Sequence, residues 1–96
     1  MVLETTTFRL ADRVSDDVFL HADEGVRTGF LYRQPGLVRA TTARGDDGEW
    51  IMVVLWASQN EADAAAARAE SDPANTELKA LVDQSSLERR RYSTFD

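Results

Sequence analysis

Apolar and polar positions along this chain follow two alternating rhythms. Residues 2–10, VLETTTFRL, are rich in β-branched side chains and bounded by the polar run ADRVSDD, which predicts a first strand. Ser15, followed by Asp16 and Asp17, has the form of a helix cap with acids in the first turn. The helix it opens is expected to run to about Arg33, where Pro35-Gly36 stops it. Leu37–Arg44 reads as a second strand, GDDG at 45–48 as a turn, and Glu49–Ala57 as a third strand. Ser58-Gln59-Asn60-Glu61 matches a capping box, in which Ser58 accepts from the N3 amide and Glu61 reaches back to the Ser58 amide. The alanine-rich helix that follows extends to about Ser71. Asp72-Pro73 restarts it as a cap and a first-turn proline, and the second piece ends near Asp83. Residues 86–94, SLERRRYST, predict a fourth strand.

The order β-α-β-β-α-β predicts an α+β chain with the ferredoxin-like arrangement: a four-stranded antiparallel sheet with two helices on one face. Right-handed crossovers put strands one and three side by side in the centre. Strand three, WIMVVLW, is apolar on both faces. Trp50, Met52, Val54 and Trp56 share one face, expected under the helices, and Ile51, Val53 and Leu55 share the other. A small monomer that left the second face in water would expose a large apolar patch, so an identical subunit related by twofold symmetry is expected to cover it.

Composition narrows the classes. A length of 96 residues fits one domain, residues 1–96, with a core small enough to gain from a partner. The net charge of −6 argues against nucleic acid, which needs cationic surface. The one basic run, Arg89-Arg90-Arg91, splits between two strand faces and fits a solvated or ion-paired edge. With no cysteine and one histidine, neither disulfides nor a metal site is expected. No apolar run is long enough to cross a membrane, and MVLETTTFRL lacks the form of a signal peptide, so the expected compartment is the cytoplasm.

Candidate chemistry concentrates on helix one. Val18, Phe19, Ala22, Val26 and Phe30 form the apolar face expected to meet the sheet, with Glu24 and Arg27 pointing away. His21, Gly25, Thr28 and Tyr32 run along one flank, with Gly29 nearby. Each helical glycine costs roughly 0.8–1.0 kcal/mol against alanine. Two readings compensate for that cost: close approach of the helix to the sheet or to a tryptophan ring, or room for a flat ligand with His21 and Tyr32 at its rim. His21 is the candidate general base, with Asp17 one turn away to orient it. Trp50 and Trp56 either fill the core or stack on an aromatic ligand. The threonines at 5–7 and 41–42 fit a hydrated cavity or a wet sheet face.

The Pro-Gly entry to strand two (QPGLV, 34–38), WIMVVLWAS and the acidic-alanine helix QNEADAAAA resemble the antibiotic biosynthesis monooxygenase family over nearly the whole chain. The resemblance implies a dimeric α/β barrel, two ferredoxin-like sheets face to face with the helices outside. It also implies a pocket between the helices and sheet of each subunit, lined by the strand-three tryptophan, here Trp56. Members include cofactor-free oxygenases that oxidise polycyclic phenols to quinones, and heme-degrading enzymes. The latter use an asparagine on strand one and a histidine in the second half of the chain. Here Thr5, Thr6 and Thr7 occupy strand one and no histidine follows His21, which points away from heme and to no cofactor. The residue after the tryptophan, often glutamate, is Ala57. The resulting expectation is a homodimeric monooxygenase for a small, flat, largely apolar or aromatic molecule, with His21 as base and Trp56, Trp50, Tyr32, Gly25 and Thr28 as substrate contacts. The alternative is a ligand-binding or stress-response barrel without chemistry of its own.

Overall fold

The computed structural model describes residues 1–95. The elements are β1 (Val2–Leu10), α1 (Asp16–Gly29), β2 (Leu37–Arg44), β3 (Trp50–Trp56), α2 (Gln59–Ala69), α3 (Pro73–Ala80) and β4 (Val82–Ser93). The sheet order is β2-β3-β1-β4, so β1 and β3 are central as their apolar patterns require. All three pairings are antiparallel, with Thr6 opposite Met52 and Glu4 opposite Val54.

Side-chain caps set the helix starts. Ser15 accepts from the Val18 amide at 3.2 Å, Ser58 from the Glu61 amide at 3.2 Å and Asp72 from the Asn75 amide at 3.0 Å, with Pro73 opening α3. Only half of the expected capping box forms. Glu61 packs instead over Gly36, and its Oε2 is buried without a partner. A Cβ at Gly36 would lie 1.8 Å from that oxygen, and φ there is +84°, so both space and backbone conformation demand glycine.

Three boundaries differ from the sequence reading. α1 ends at Gly29, and Leu31–Arg33 tighten into one turn of 3-10 helix before Pro35. α3 stops at Ala80 rather than near Asp83. β4 begins at Val82 rather than at 86, because the polar run 83–86 is satisfied inside the ladder. The register shifts between Thr7 and Arg9, and there the Ser86 hydroxyl accepts from the Arg9 amide at 2.8 Å and donates to the Asp83 carbonyl at 2.7 Å. A serine thus replaces a strand carbonyl.

The helix-facing side of the sheet carries the core. Phe8, Phe19 and Trp50 form an aromatic cluster, with Phe19 centroids 5.4 Å from Phe8 and 4.7 Å from Trp50. Ala22, Val26, Phe30 and Leu31 continue that layer along α1. The buried arc of α1 is rotated from the expected one. Val18 is 52% exposed, while Asp23 is buried and holds Arg27 half-buried beside it. Asp23 accepts from Thr42 Oγ1 at 3.2 Å, and Arg27 donates to the Ala40 carbonyl at 3.4 Å, so a polar node ties α1 to β2. Burial pushes the Asp23 carboxyl above its ordinary range, against the opposing pull of the Thr42 hydrogen bond and Arg27.

No element among the described residues covers the opposite side of the sheet. Leu3, Ile51, Val53 and Leu55 are half-buried there, and Val38 and Tyr92 are exposed. On the edge strand, Arg91 bridges Glu4 at 2.9 Å and Asp63 of α2, and Arg90 pairs with Glu88. No helix among the described residues is long and apolar enough to cross a membrane.

Candidate ligand-binding cavity

A cavity of about 670 Å³ lies between the helices and the sheet. Its floor is Met52, Val54 and Trp56 of β3, Glu4, Thr6 and Phe8 of β1, and Leu87 of β4. Val26, Phe30 and Leu31 close one end. The roof is α2, through Ala62, Ala65, Ala66 and Ala69. These positions are spaced i, i+3, i+4, i+7, the spacing of a core-facing stripe. Each supplies only a methyl group, so the helix packs over the sheet without filling the space beneath it. The exposed residues Glu70, Thr76, Lys79, Gln84 and Arg89 mark the mouth between α2, α3 and β4.

Trp56 is 3% exposed, and its indole N–H is buried without a hydrogen-bond partner. A buried donor left unpaired costs about 1–3 kcal/mol. Most other polar groups at the rim are committed. The Asn75 side chain bonds Asp72, the Thr76 hydroxyl bonds the Asp72 carbonyl, and the Gln84 amide bonds the Lys79 and Val82 carbonyls. Glu4 is held by Arg91. The site is therefore a largely apolar chamber with Glu4 and Thr6 in its floor, and its open polar groups stand toward the mouth.

The structure separates the residues that the sequence groups together. Trp56 lines the cavity. Trp50 does not: it belongs to the aromatic cluster with Phe19, and the Arg44 guanidinium lies 5.9 Å from its ring centroid. His21, Gly25 and Thr28 lie on the solvent side of α1 and Tyr32, 57% exposed, in the 3-10 turn after it, and none of them lines the cavity. The Thr28 hydroxyl is spent on the Glu24 carbonyl at 2.8 Å. Nothing lies within 4 Å of a Cβ built at Gly25 or Gly29, so neither tight packing nor ligand room accounts for these glycines. The rotation of α1 that buries Asp23 carries this flank outward. The space comes from the alanines of α2 instead. Their regular stripe was visible in the sequence, and it is the signal that locates the cavity. Among the described residues no group of three or more His, Cys, Asp or Glu could hold a metal ion.

No family model matches the chain, and no curated protein matches it. Solved structures do. SnoaB, a cofactor-independent oxygenase from Streptomyces nogalater, superposes with a TM-score of 0.81 at 23% identity, covering 99% of this chain and 93% of that one. Rv0793 from Mycobacterium tuberculosis superposes with a TM-score of 0.72 at 13% identity, covering 99% and 95%. A further structure, an antibiotic biosynthesis monooxygenase, gives 0.72 at 13% identity over 100% of both chains. The four-stranded antiparallel sheet under its helices is thus the ferredoxin-like fold of the antibiotic biosynthesis monooxygenase structures.

Proposed function

We propose that this protein is a small-molecule monooxygenase that needs no cofactor, acting on a flat aromatic or polyketide-like ring held between α2 and the sheet. One observation carries the reading: a chamber of about 670 Å³ between the helices and the sheet, roofed by the alanines of α2 and floored by Met52, Val54 and Trp56. A flat ring would lie under the alanine roof, against the indole of Trp56. The likeness to SnoaB, itself a cofactor-independent oxygenase, supports the same class.

The chemistry this reading requires is oxidation of an activated ring CH₂ position, as in an anthrone or the keto tautomer of a phenol. A base removes one proton, and the carbanion forms a C–O bond to dioxygen. The resulting hydroperoxide breaks its O–O bond, loses the second proton and leaves C=O plus water. Dioxygen is both oxidant and co-substrate. His21 is not placed for the first step. Glu4 is a carboxylate of the cavity floor, with one oxygen oriented by Arg91, and in this reading it accepts the proton.

The assembly in this reading is a dimer. The uncovered face of Leu3, Ile51, Val53 and Leu55, flanked by exposed Val38 and Tyr92, is the surface a second copy would cover. The test of function is oxygen uptake with anthrones and dihydroxynaphthalenes. Turnover that falls in Glu4→Gln and persists in His21→Ala supports the reading, and loss in His21→Ala with Glu4→Gln unaffected overturns it. Binding without oxygen uptake in the wild type would favour a ligand-binding barrel, for which the exclusion of the only histidine from the cavity is the supporting observation.

A further inference from the structure

The charges around the cavity are not balanced at random. Glu4, Arg91 and Asp63 satisfy one another across β1, β4 and α2. Arg89 and Lys79 line the same cavity, and among the described residues neither makes an ion pair or a side-chain hydrogen bond. Arg89 stands at the mouth, on the helix-facing side of the sheet: its register partner is Thr6, whose own partner on the other side is Met52, and all three line the chamber. Glu70 is the one carboxylate of the lining that is equally free, and it sits at the end of α2 rather than in the sheet. An unpaired guanidinium at the cavity mouth, in a chain of net charge −6, presents a cation to whatever enters.

We propose that the chamber selects ligands whose aromatic ring carries an anionic oxygen, a carboxylate or an ionised phenol or enol, and that Arg89 is the residue that reads it. The inference rests on the cavity being the ligand site. An apolar ring fits beneath the alanines of α2, and its anionic oxygen lies toward Arg89 at the mouth. A guanidinium presents planar paired donors to such an oxygen, and hydrogen bonds to a charged acceptor are roughly twice as strong as neutral ones.

The experiment is calorimetric titration of the full chain with 2-naphthoate and with its neutral isostere 2-naphthamide at neutral pH. Wild type should bind the anion about tenfold more tightly, the scale of one charge-assisted hydrogen bond at a partly solvated site. Arg89→Gln should bring the two affinities together by weakening the anion alone, and Lys79→Gln should retain most of the preference. Equal binding of both probes by wild type overturns the anion preference and leaves the cavity as ligand site intact. Loss of the preference in Lys79→Gln but not in Arg89→Gln overturns the assignment to Arg89. Failure of both probes to bind overturns this inference together with the cavity reading. A thermal melt of each variant within a few degrees of wild type confirms that binding differences are local.

Discussion

Ala65→Leu tests the idea that α2 roofs a void and not a packed core. Ala65 is 2% exposed and lines the cavity, so the added carbons enter space of about 670 Å³. Three further carbons buried at about 0.8 kcal/mol each amount to roughly 2.4 kcal/mol, and ordering a leucine side chain offsets about 0.5–1 kcal/mol of that. The net expectation is a gain of about 1.5 kcal/mol. For a domain of this size that raises the melting temperature by roughly 6–12 °C. Urea unfolding at fixed protein concentration reads it as a higher midpoint with an unchanged slope. The same variant should bind 2-naphthoate at least tenfold more weakly, because the leucine occupies the ring's place. In a filled core the sign reverses, since an inserted leucine there costs about 1–3 kcal/mol. A destabilised Ala65→Leu that still binds the probe as wild type does would refute the reasoning.

Gly36→Ala should destabilise by about 3 kcal/mol or more, read by urea unfolding, since its Cβ would strike Glu61 at a left-handed backbone position. Asp23→Asn should change the pH dependence of stability. The folded carboxyl is raised above its unfolded value, so the wild type loses stability as pH rises from about 4 through the folded pKa, and the asparagine variant lacks that loss. Melting temperatures between pH 4 and 7 check this, and parallel curves for the two proteins would contradict it. Val53→Lys places a charge in the middle of the uncovered sheet face. Light scattering at micromolar concentration should show the wild type as a dimer and the variant as a monomer.

Most of the architecture was legible because each element carries its own signal. Ser15, Ser58 and Asp72 cap the helices whose starts they announce, and the tryptophan face of β3 turns to the helices as its alternation requires. The start of β4 was hidden because a polar run, DQSS, reads as loop when a serine hydroxyl takes a place in the ladder. The candidate site was legible only at Trp56. A helical wheel weights Val18 and discounts Asp23, yet tertiary contacts rotated α1 so that Asp23 reaches Thr42 and Val18 faces water. With that rotation His21, Gly25, Thr28 and Tyr32 left the interior. The alanines of α2 drew attention as helix formers and not as short side chains facing a sheet. Arg89 looked like one charge in a solvated run, because only the pairing of Arg91 and Arg90 with neighbouring carboxylates shows that Arg89 is left free.

The central claim is that ligands enter the chamber walled by Trp56. The chain's two indoles provide an internal comparison, since Trp56 lines the chamber and Trp50 is packed against Phe19 outside it. The direct measurement is the pair of indole N–H resonances in a ¹H–¹⁵N spectrum, assigned with Trp50→Phe and followed through a titration with 2-naphthoate. The account predicts that the Trp56 N–H signal shifts progressively to saturation while the Trp50 signal stays in place. A titration that moves Trp50 and leaves Trp56 untouched, or moves neither, would contradict it.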